Sequence, residues 1–382
     1  MLFASPDLDA ADELVLDLIE DQHQRLRPLV AAPQRWRGLL RRVALARSVR
    51  GSNTIEGFTV SVDDAFAILD DQEPLEASEV TWHAVRGYRD AMTYVLQLAK
   101  ERRVDINAHT LRALHFMAQQ YDLSKWPGRY RPDDVSVYDE DNQMTVYVGP
   151  DAREVPSLVD ELVDDITTSE SLPVLVRAAM AHLNLVMIHP FKDGNGRMAR
   201  CLQTLLLACD GRFAGPEFVS IEEYLGRNEQ DYYRVLAQVG GGSWNPGRDT
   251  RPWIRFCLTA HYRQALQIER RAEVASRLWV RAEEEVALAG LPERCVQPLT
   301  YSMSGRVLRN VTYRQLTDGL SQNVAGRDLT ELVRADLLDA RGEKRGRYYF
   351  PSGRMMAVAR ECRESVGSKL SLEANPYEMT ST

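Results

Sequence analysis

The chain has 382 residues, 44% hydrophobic and 27% charged, with a formal net charge of −8. That is the balance of a soluble globular protein with a full-sized core, long enough for two or three domains, and its acidic sign excludes general binding to nucleic acid or membrane. Five scattered cysteines (Cys201, Cys209, Cys257, Cys295, Cys362) form no CxxC pair, which speaks against a disulfide framework or a structural zinc and for a reducing cytoplasm. The acidic start MLFASPDLDAADE is unlike a signal peptide. No apolar run approaches the ~20 residues of a membrane span, so the expected location is cytoplasmic.

The first hundred residues read as helices. ADELVLDLIEDQHQRLRPLV sets Leu14, Leu16, Leu18, Ile19 and Leu26 at near-helical spacing. RWRGLLRRVALARSVRGSNTIEG and EVTWHAVRGYRDAMTYVLQLAK continue the pattern. DINAHTLRALHFMAQQY opens on a cap-like Asn107, with an apolar face expected through Leu111, Leu114 and Phe116. The texture then changes. In WPGRYRPDDVSVYDEDNQMTVYVGP, Val135 and Val137 alternate on one side of a polar DEDNQ turn and Val146 and Val148 on the other, which predicts a β-hairpin. A lone hairpin buries too little to stand alone, so it must lean on the helices.

Helical patterns resume in VPSLVDELVDDI and in PVLVRAAMAHLNLVMI, whose Pro173 suits a first helical position. Another helix is expected from about Asn195 through Met198, Cys201, Leu202, Leu205 and Leu206, stopping at Gly211. EQDYYRVLAQV and a long segment from RPWIRF to ALAG follow, with GGGSWNPGRD between them read as a flexible loop. From about Leu299 two short helices, the second SQNVAGRDLTELVRADLL, precede a basic β-turn-β, RGEKRGRYYF, which reads as a winged helix-turn-helix. Residues 301–364 hold 12 Lys+Arg against 8 Asp+Glu.

Between two of these helices lies HPFKDGNGRMAR, His189 to Arg200, which packs an acid, two glycines and three Lys or Arg residues into a turn. Gly194 and Gly196 flank Asn195 where the chain enters a helix. There the backbone can approach a ligand, the first N–H groups are free, and the helix dipole favours an anion. Arg197 and Arg200, three apart, present two guanidinium forks from one face. An acid among cations makes sense if Asp193 holds a Mg²⁺ between itself and phosphates. His189 ends the preceding helix within reach of the same space and can take a proton at neutral pH. This reading needs Asn195 to face the pocket. GNGRMA also fits a loose dinucleotide fingerprint, but that motif requires a preceding strand, and a helical pattern precedes it here.

The stretch resembles the signature of the Fic family, HPFx[DE]GNGRxxR, at each specified position, and the resemblance runs from about residue 40 to 265. It implies a mainly α fold: a Fic-type helical bundle with a β-hairpin flap, followed here by the winged helix. The expected division is 1–95 as an N-terminal region with an inhibitory helix, 96–265 as catalytic core, 266–298 as linker, 299–365 as winged helix and 366–382 as tail. By resemblance the chain is a protein adenylyltransferase, moving AMP from ATP to a Ser, Thr or Tyr hydroxyl of a protein target or of itself. His189 would be the general base and Asp193 the Mg²⁺ ligand, with Gly194, Asn195 and Gly196 forming the anion hole. Arg197 and Arg200 would grip the outer phosphates, Lys192 would lie among the nucleotide-binding residues, and Phe191 would anchor the loop. Tyr232 and Tyr233 sit where relatives stack or bond adenine. Val135, Ser136, Val137 and Tyr138 would form the flap arm that pairs with the target.

SNTIEG resembles the family's inhibitory motif [ST]xxxE[GN] through Ser52, Glu56 and Gly57. It implies an ion pair between Glu56 and Arg200 that denies ATP its seat. The resemblance extends to a homodimer, and in some relatives the glutamate supports removal of AMP. Arg327, Arg334, Arg341, Lys344, Arg345 and Arg347 could meet DNA phosphates, but Asp328, Glu331, Asp336, Asp339 and Glu343 are interleaved, and winged helices also dock proteins. A second function class therefore stands beside the first: a DNA-binding regulator whose Fic module binds nucleotide with little turnover.

Overall fold

Three helix starts show how local chemistry sets the frame. Ser61 Oγ accepts the Asp64 N–H at 3.0 Å, Ser78 Oγ accepts that of Thr81 at 3.2 Å, and Asn107 Oδ1 accepts those of His109 and Thr110 at 2.9 and 3.0 Å. Each satisfies donors that a helix start otherwise leaves orphaned. The computed structural model describes residues 1–382 except 32–35, 74–75, 102–103, 140–142, 170, 318, 344–346, 367–371 and 380–382. The chain forms two compact units: residues 1–28, 44–266 and 373–382, and residues 29–43 with 267–372. The boundary expected at residues 95 and 96 falls inside the first.

In chain order the elements are α1 (Ala10–Ala31), α2 (Trp36–Ile55), α3 (Val62–Leu69), α4 (Glu79–Leu98), α5 (Ala108–Gln119), β1 (Ser136–Asp139), β2 (Met144–Val148), α6 (Val155–Thr168), α7 (Val174–Ile188), α8 (Asn195–Ala208), α9 (Glu222–Arg227), α10 (Glu229–Gly240), β3 (Gly242–Ser243) and α11 (Arg251–Leu288). Then come α12 (Val296–Met303), α13 (Asn310–Leu316), α14 (Gln322–Arg334), β4 (Leu338–Arg341), β5 (Tyr348–Pro351), α15 (Gly353–Ser365) and α16 (Pro376–Met379).

At the centre of the first unit stand α7 and α8. Thirteen of the 15 residues of α7 are buried, as expected of a helix that is apolar all round. α8 buries 13 of its 14, Arg197 and Arg200 among them. Buried cations need partners, and these partners build the site. Phe191, 1% exposed, stacks on His115 at 3.8 Å with the rings 5° apart and pins the intervening loop. Phe191→Ala is expected to destabilise the protein by ~3–5 kcal/mol, read as a lowered urea midpoint at unchanged slope. An unmoved midpoint would mean that the ring anchors nothing.

Two apolar faces differ from expectation. In α1 the buried phase runs through Val15, Ile19 and Leu26, and Leu14 is 48% exposed. In α5, Leu111 and Leu114 are buried as expected, but Phe116 is 47% exposed and His115 fills the core position. The hairpin forms, with Ser136 opposite Val148 and Val137 opposite Tyr147, and its register slips between Val137 and Tyr138. Val135 lies just before β1. The buried residue of β2 is Tyr147. In the DEDNQ turn, residues 140–142 lie outside the described residues. The GGGSWNPGRD stretch is not simply a loop. Gly242 and Ser243 pair in parallel with β2, the Trp244 N–H donates to the Val148 carbonyl at 2.9 Å, and its ring meets Phe3 edge-on at 5.4 Å.

The second unit has its own apolar core, including Leu299, Tyr313, Leu329, Leu332, Leu338 and Tyr349. α13 and α14 are followed by the antiparallel β4–β5 ribbon, Leu338 opposite Pro351. Asp328 does not dilute a cationic surface: it is 3% exposed, takes two bonds from Arg294 at 2.7 and 2.9 Å and accepts the Tyr313 hydroxyl at 2.9 Å. Arg334 is held by Glu331 at 2.6 Å, and the Arg341 guanidinium stacks over Phe350. Lys344 and Arg345 lie outside the described residues.

Candidate active site

His189 caps α7 in the left-handed region, φ 51° and ψ 58°, a conformation a non-glycine residue keeps only when its surroundings hold it. Its Nδ1 lies 3.2 Å from the Val186 carbonyl. A carbonyl can only accept, so the proton sits on Nδ1 and Nε2 keeps its lone pair. The residue as a whole is half-buried, and burial of its imidazole drops the pKa to about 4, with the Arg131 cation acting in the same direction and the Val186 carbonyl against it. At neutral pH it is an uncharged base.

The next residues turn the chain into α8. The Asp193 Oδ1 accepts the Gly194 N–H at 2.7 Å, so that N–H is already spent, and Lys125 lies 3.6 Å from Oδ2. Asn195 overturns the expectation that it faces the pocket. It is 2% exposed, its Oδ1 accepts the Phe191 N–H and its Nδ2 donates to the Phe191 carbonyl, both at 2.8 Å. A primary amide can satisfy one backbone donor and one acceptor at once, and here it closes the loop. Any anion cradle on α8 is therefore made of first-turn N–H groups, not of the Asn195 side chain. Lys192 also turns elsewhere, donating to the Ser124 carbonyl at 3.1 Å beside the Trp126 ring.

The two arginines do not form one open clamp. Arg200 Nε donates to Ser52 Oγ at 2.7 Å, and Nη2 donates to the Ser52 carbonyl at 3.1 Å and to Glu56 Oε1 at 2.7 Å. Burial works against its charge, but the Glu56 carboxylate outweighs it and raises the guanidinium's pKa. Arg197 Nη2 donates to Gln119 Oε1 at 2.9 Å, and its guanidinium lies over Phe58 and Tyr121 at 5.5 and 5.7 Å. Both side chains are 1% exposed. Arg197 Nε and Nη1 and Arg200 Nη1 have no partner among the described residues.

The segment gripping them ends α2. The Gly57 N–H donates to the Thr54 carbonyl at 3.0 Å and the Phe58 N–H to that of Asn53 at 2.9 Å, with Gly57 at φ 81°. This left-handed helix stop suits glycine and swings Phe58 onto Arg197. At Gly196 a β-carbon would come within 2.6 Å of Glu56 Oε1. The carboxylate thus stands beside the start of α8, and only the missing side chain leaves it room.

The tyrosines part company. Tyr232, 1% exposed, is in the core, 3.0 Å from His182 Nε2, and His182 in turn lies 2.6 Å from Gln203 Oε1. It offers no stacking face to a nucleotide. Tyr233 is 48% exposed, and its hydroxyl donates to the Ile55 carbonyl at 3.0 Å, one residue before Glu56. α5 reads from the sequence as a helix, but nothing in that reading assigns it a residue of the site. The Gly128 N–H donates to His115 Nδ1 at 2.8 Å, which leaves Nε2–H to donate to the Asp193 carbonyl at 2.9 Å. Gln119, one turn on, holds Arg197. An i, i+4 His/Gln pair beside an apolar face was the available signal.

Among the described residues no three His, Cys, Asp or Glu side chains converge on one point. A dedicated all-protein metal cage needs such a cluster. A Mg²⁺ that arrives with phosphate oxygens needs one or two carboxylates, and Asp193, its side chain 36% exposed, supplies one beside the helix start. The donor set fits that second case. No described helix is long and apolar enough to cross a membrane.

Residues 105–207 match the Fic/DOC family, a span that holds α5, the hairpin, the loop and nearly all of α8 but neither SNTIEG nor the tyrosine pair. The chain is 27% identical over 256 residues to the protein adenylyltransferase Fic of Nematostella vectensis, covering 66% of this chain and 55% of that one. It is 27% identical over 215 residues to protein adenylyltransferase fic-1 of Caenorhabditis elegans, covering 56% and 39%. It thus spans about half the length, or less, of these curated relatives. Two solved structures share the fold. One is a Fic family protein of Desulfovibrio desulfuricans G20, with a TM-score of 0.59 at 22% identity, covering 91% of this chain and 98% of that one. The other is Fic-1 of C. elegans, with a TM-score of 0.54 at 23% identity, covering 68% and 72%.

Proposed function

We propose that this chain, whose residues 105–207 carry a Fic domain, is a protein adenylyltransferase that moves AMP from ATP to a Ser, Thr or Tyr hydroxyl and is held in check by Glu56. The observation that supports this most directly is a pair of buried guanidiniums at the start of α8 with donors still unpartnered. Buried donors left unsatisfied are costly, and phosphate oxygens would satisfy them.

In this reading His189 Nε2 takes the proton of the target hydroxyl. The hydroxyl oxygen bonds to the α-phosphorus, and the bond to pyrophosphate breaks. Arg197 and Arg200 hold the outer phosphates, with first-turn N–H groups of α8 beneath, so the work is positioning and charge stabilisation. Asp193 would hold a Mg²⁺ accompanying the triphosphate, which when bound neutralises charge on its oxygens. β1 is an edge strand, and Tyr138 on it is 52% exposed. Its free edge would take the backbone of a target as an added strand. Dimerisation, and docking to DNA or protein through residues 299–365, belong to the same reading.

Incubation of the Glu56→Gly protein with Mg·ATP and a cell lysate, followed by intact mass, tests it. An AMP adduct on the chain or on a lysate protein is expected. Nucleotide binding without any adduct would favour the DNA-binding regulator with a nucleotide-sensing module.

A further inference from the structure

We propose that Arg131 is a positioning residue that ties the β1–β2 hairpin to the backbone of His189, so that target alignment and the general base share one reference point. The inference rests on reading His189 as the base and the hairpin as the target-binding flap.

Arg131 is 5% exposed. Its Nε donates to the His189 carbonyl at 2.8 Å, and its own N–H donates to the Pro190 carbonyl at 2.9 Å. On the other side of the guanidinium, Nη1 donates to the Asp133 carbonyl at 2.8 Å and Nη2 to the Pro150 carbonyl at 2.6 Å. Asp133 precedes β1 and Pro150 follows β2, so one planar group spans both roots of the hairpin and the residue that carries the imidazole. Just inside those roots, the Gly149 N–H donates to the Val135 carbonyl at 3.1 Å. Tyr147 adds a parallel tie, its hydroxyl donating to the Met187 carbonyl at 2.8 Å.

The acceptors explain why this residue is arginine. All are neutral carbonyls. Two carboxylates act on it only from a distance: that of Asp134, 4.0 Å away on a side chain 73% exposed, and that of Asp151, which is bonded to Arg153. Burying a full charge whose hydrogen-bond acceptors are all carbonyls is expensive, and a cation that served only to fill space would be a poor choice. What a guanidinium offers is donors in fixed directions. Lysine keeps the charge but cannot point at the His189 and Pro150 carbonyls together. Because His189 sits in the left-handed region, freeing its carbonyl lets the backbone relax and swings the imidazole.

Arg131→Lys and Arg131→Gln in the Glu56→Gly background test this. AMP transfer to a protein target, or to the chain itself, is expected to fall roughly 100-fold, the loss a ~1 Å misplacement produces. The loss should lie in kcat, with KM for ATP unchanged within about twofold. Hydrogen exchange should quicken in segments 133–149 and 189–194 together and stay unchanged in α4 and α6. Transfer at the parent's rate, or faster exchange in only one of the two segments, would overturn the coupling. So would a uniform rise across the chain, which marks a purely structural residue. If the Glu56→Gly parent itself attaches no AMP, the proposed function falls, and the exchange experiment still decides the role of Arg131.

Discussion

Glu56→Gly is expected to raise labelling by ATP carrying its label on the α-phosphate by roughly 10- to 100-fold. The magnitude follows from the bond removed. A charge-assisted hydrogen bond is worth about 1.5–3 kcal/mol, and each ~1.4 kcal/mol is a factor of ten. With the carboxylate gone, Arg200 keeps both bonds to Ser52 but gains one free N–H on Nη2 to set beside its unpartnered Nη1, and the space beside Gly196 opens. The same change should lower stability without ATP, because a guanidinium 1% exposed loses its countercharge. Activity and stability should therefore move in opposite directions, and ATP should restore part of the lost melting temperature. Glu56→Gln, which keeps the volume and removes the charge, should share the sign. Labelling equal to or below the parent's in both variants would remove Glu56 from any inhibitory role.

His189→Ala is expected to abolish labelling while ATP binding stays near that of the parent, since the phosphate grips lie on α8. General-base catalysis supplies about 10²–10⁴-fold, so the residue of activity should be close to background. The pH dependence carries a second check. The imidazole is pulled down to about 4 by burial, so labelling should hold level from neutral pH down through the ordinary histidine range near 6.5. It should fall only as the ring protonates below that range. An acid limb centred at 6.5 or above would contradict the buried, Nδ1-protonated ring, and persistent labelling by the alanine variant would move the base elsewhere.

Much of the site's location was legible in the residues, and much of its orientation was not. HPFKDGNGRMAR marks a helix start near Asn195 with two arginines on its first turns, and α8 begins there, because glycines, arginines and an acid are legible by type and spacing. SNTIEG pointed to Arg200, and the structure sets Ser52 and Glu56 on it. Side-chain direction was lost. The motif alone suggests that Asn195 faces a ligand, but an amide four residues from Phe191 can close its own loop, and that local closure wins. The resemblance sets Tyr232 and Tyr233 in one role, yet adjacent helical residues point about 100° apart. Tyr232 shares its phase with the buried Val235, Leu236 and Val239, a periodicity that could have separated the pair. Leu14 and Phe116 failed for a related reason: local apolar spacing leaves the helix phase open, and tertiary packing chose Val15 and His115 instead. Arg131 left no signal at all, since its acceptors are backbone carbonyls that no residue type announces.

Ser52, Glu56 and Phe58 fall within seven consecutive residues and between them engage both arginines of α8. Unwinding the last turn of α2 therefore frees Arg200 from Ser52 and Glu56 and strips Phe58 from Arg197 in one event, while Gln119 and Tyr121 keep their hold on Arg197. On the proposed function, an effector that loosens this segment would change what fraction of molecules turn over, not the rate of each opened molecule.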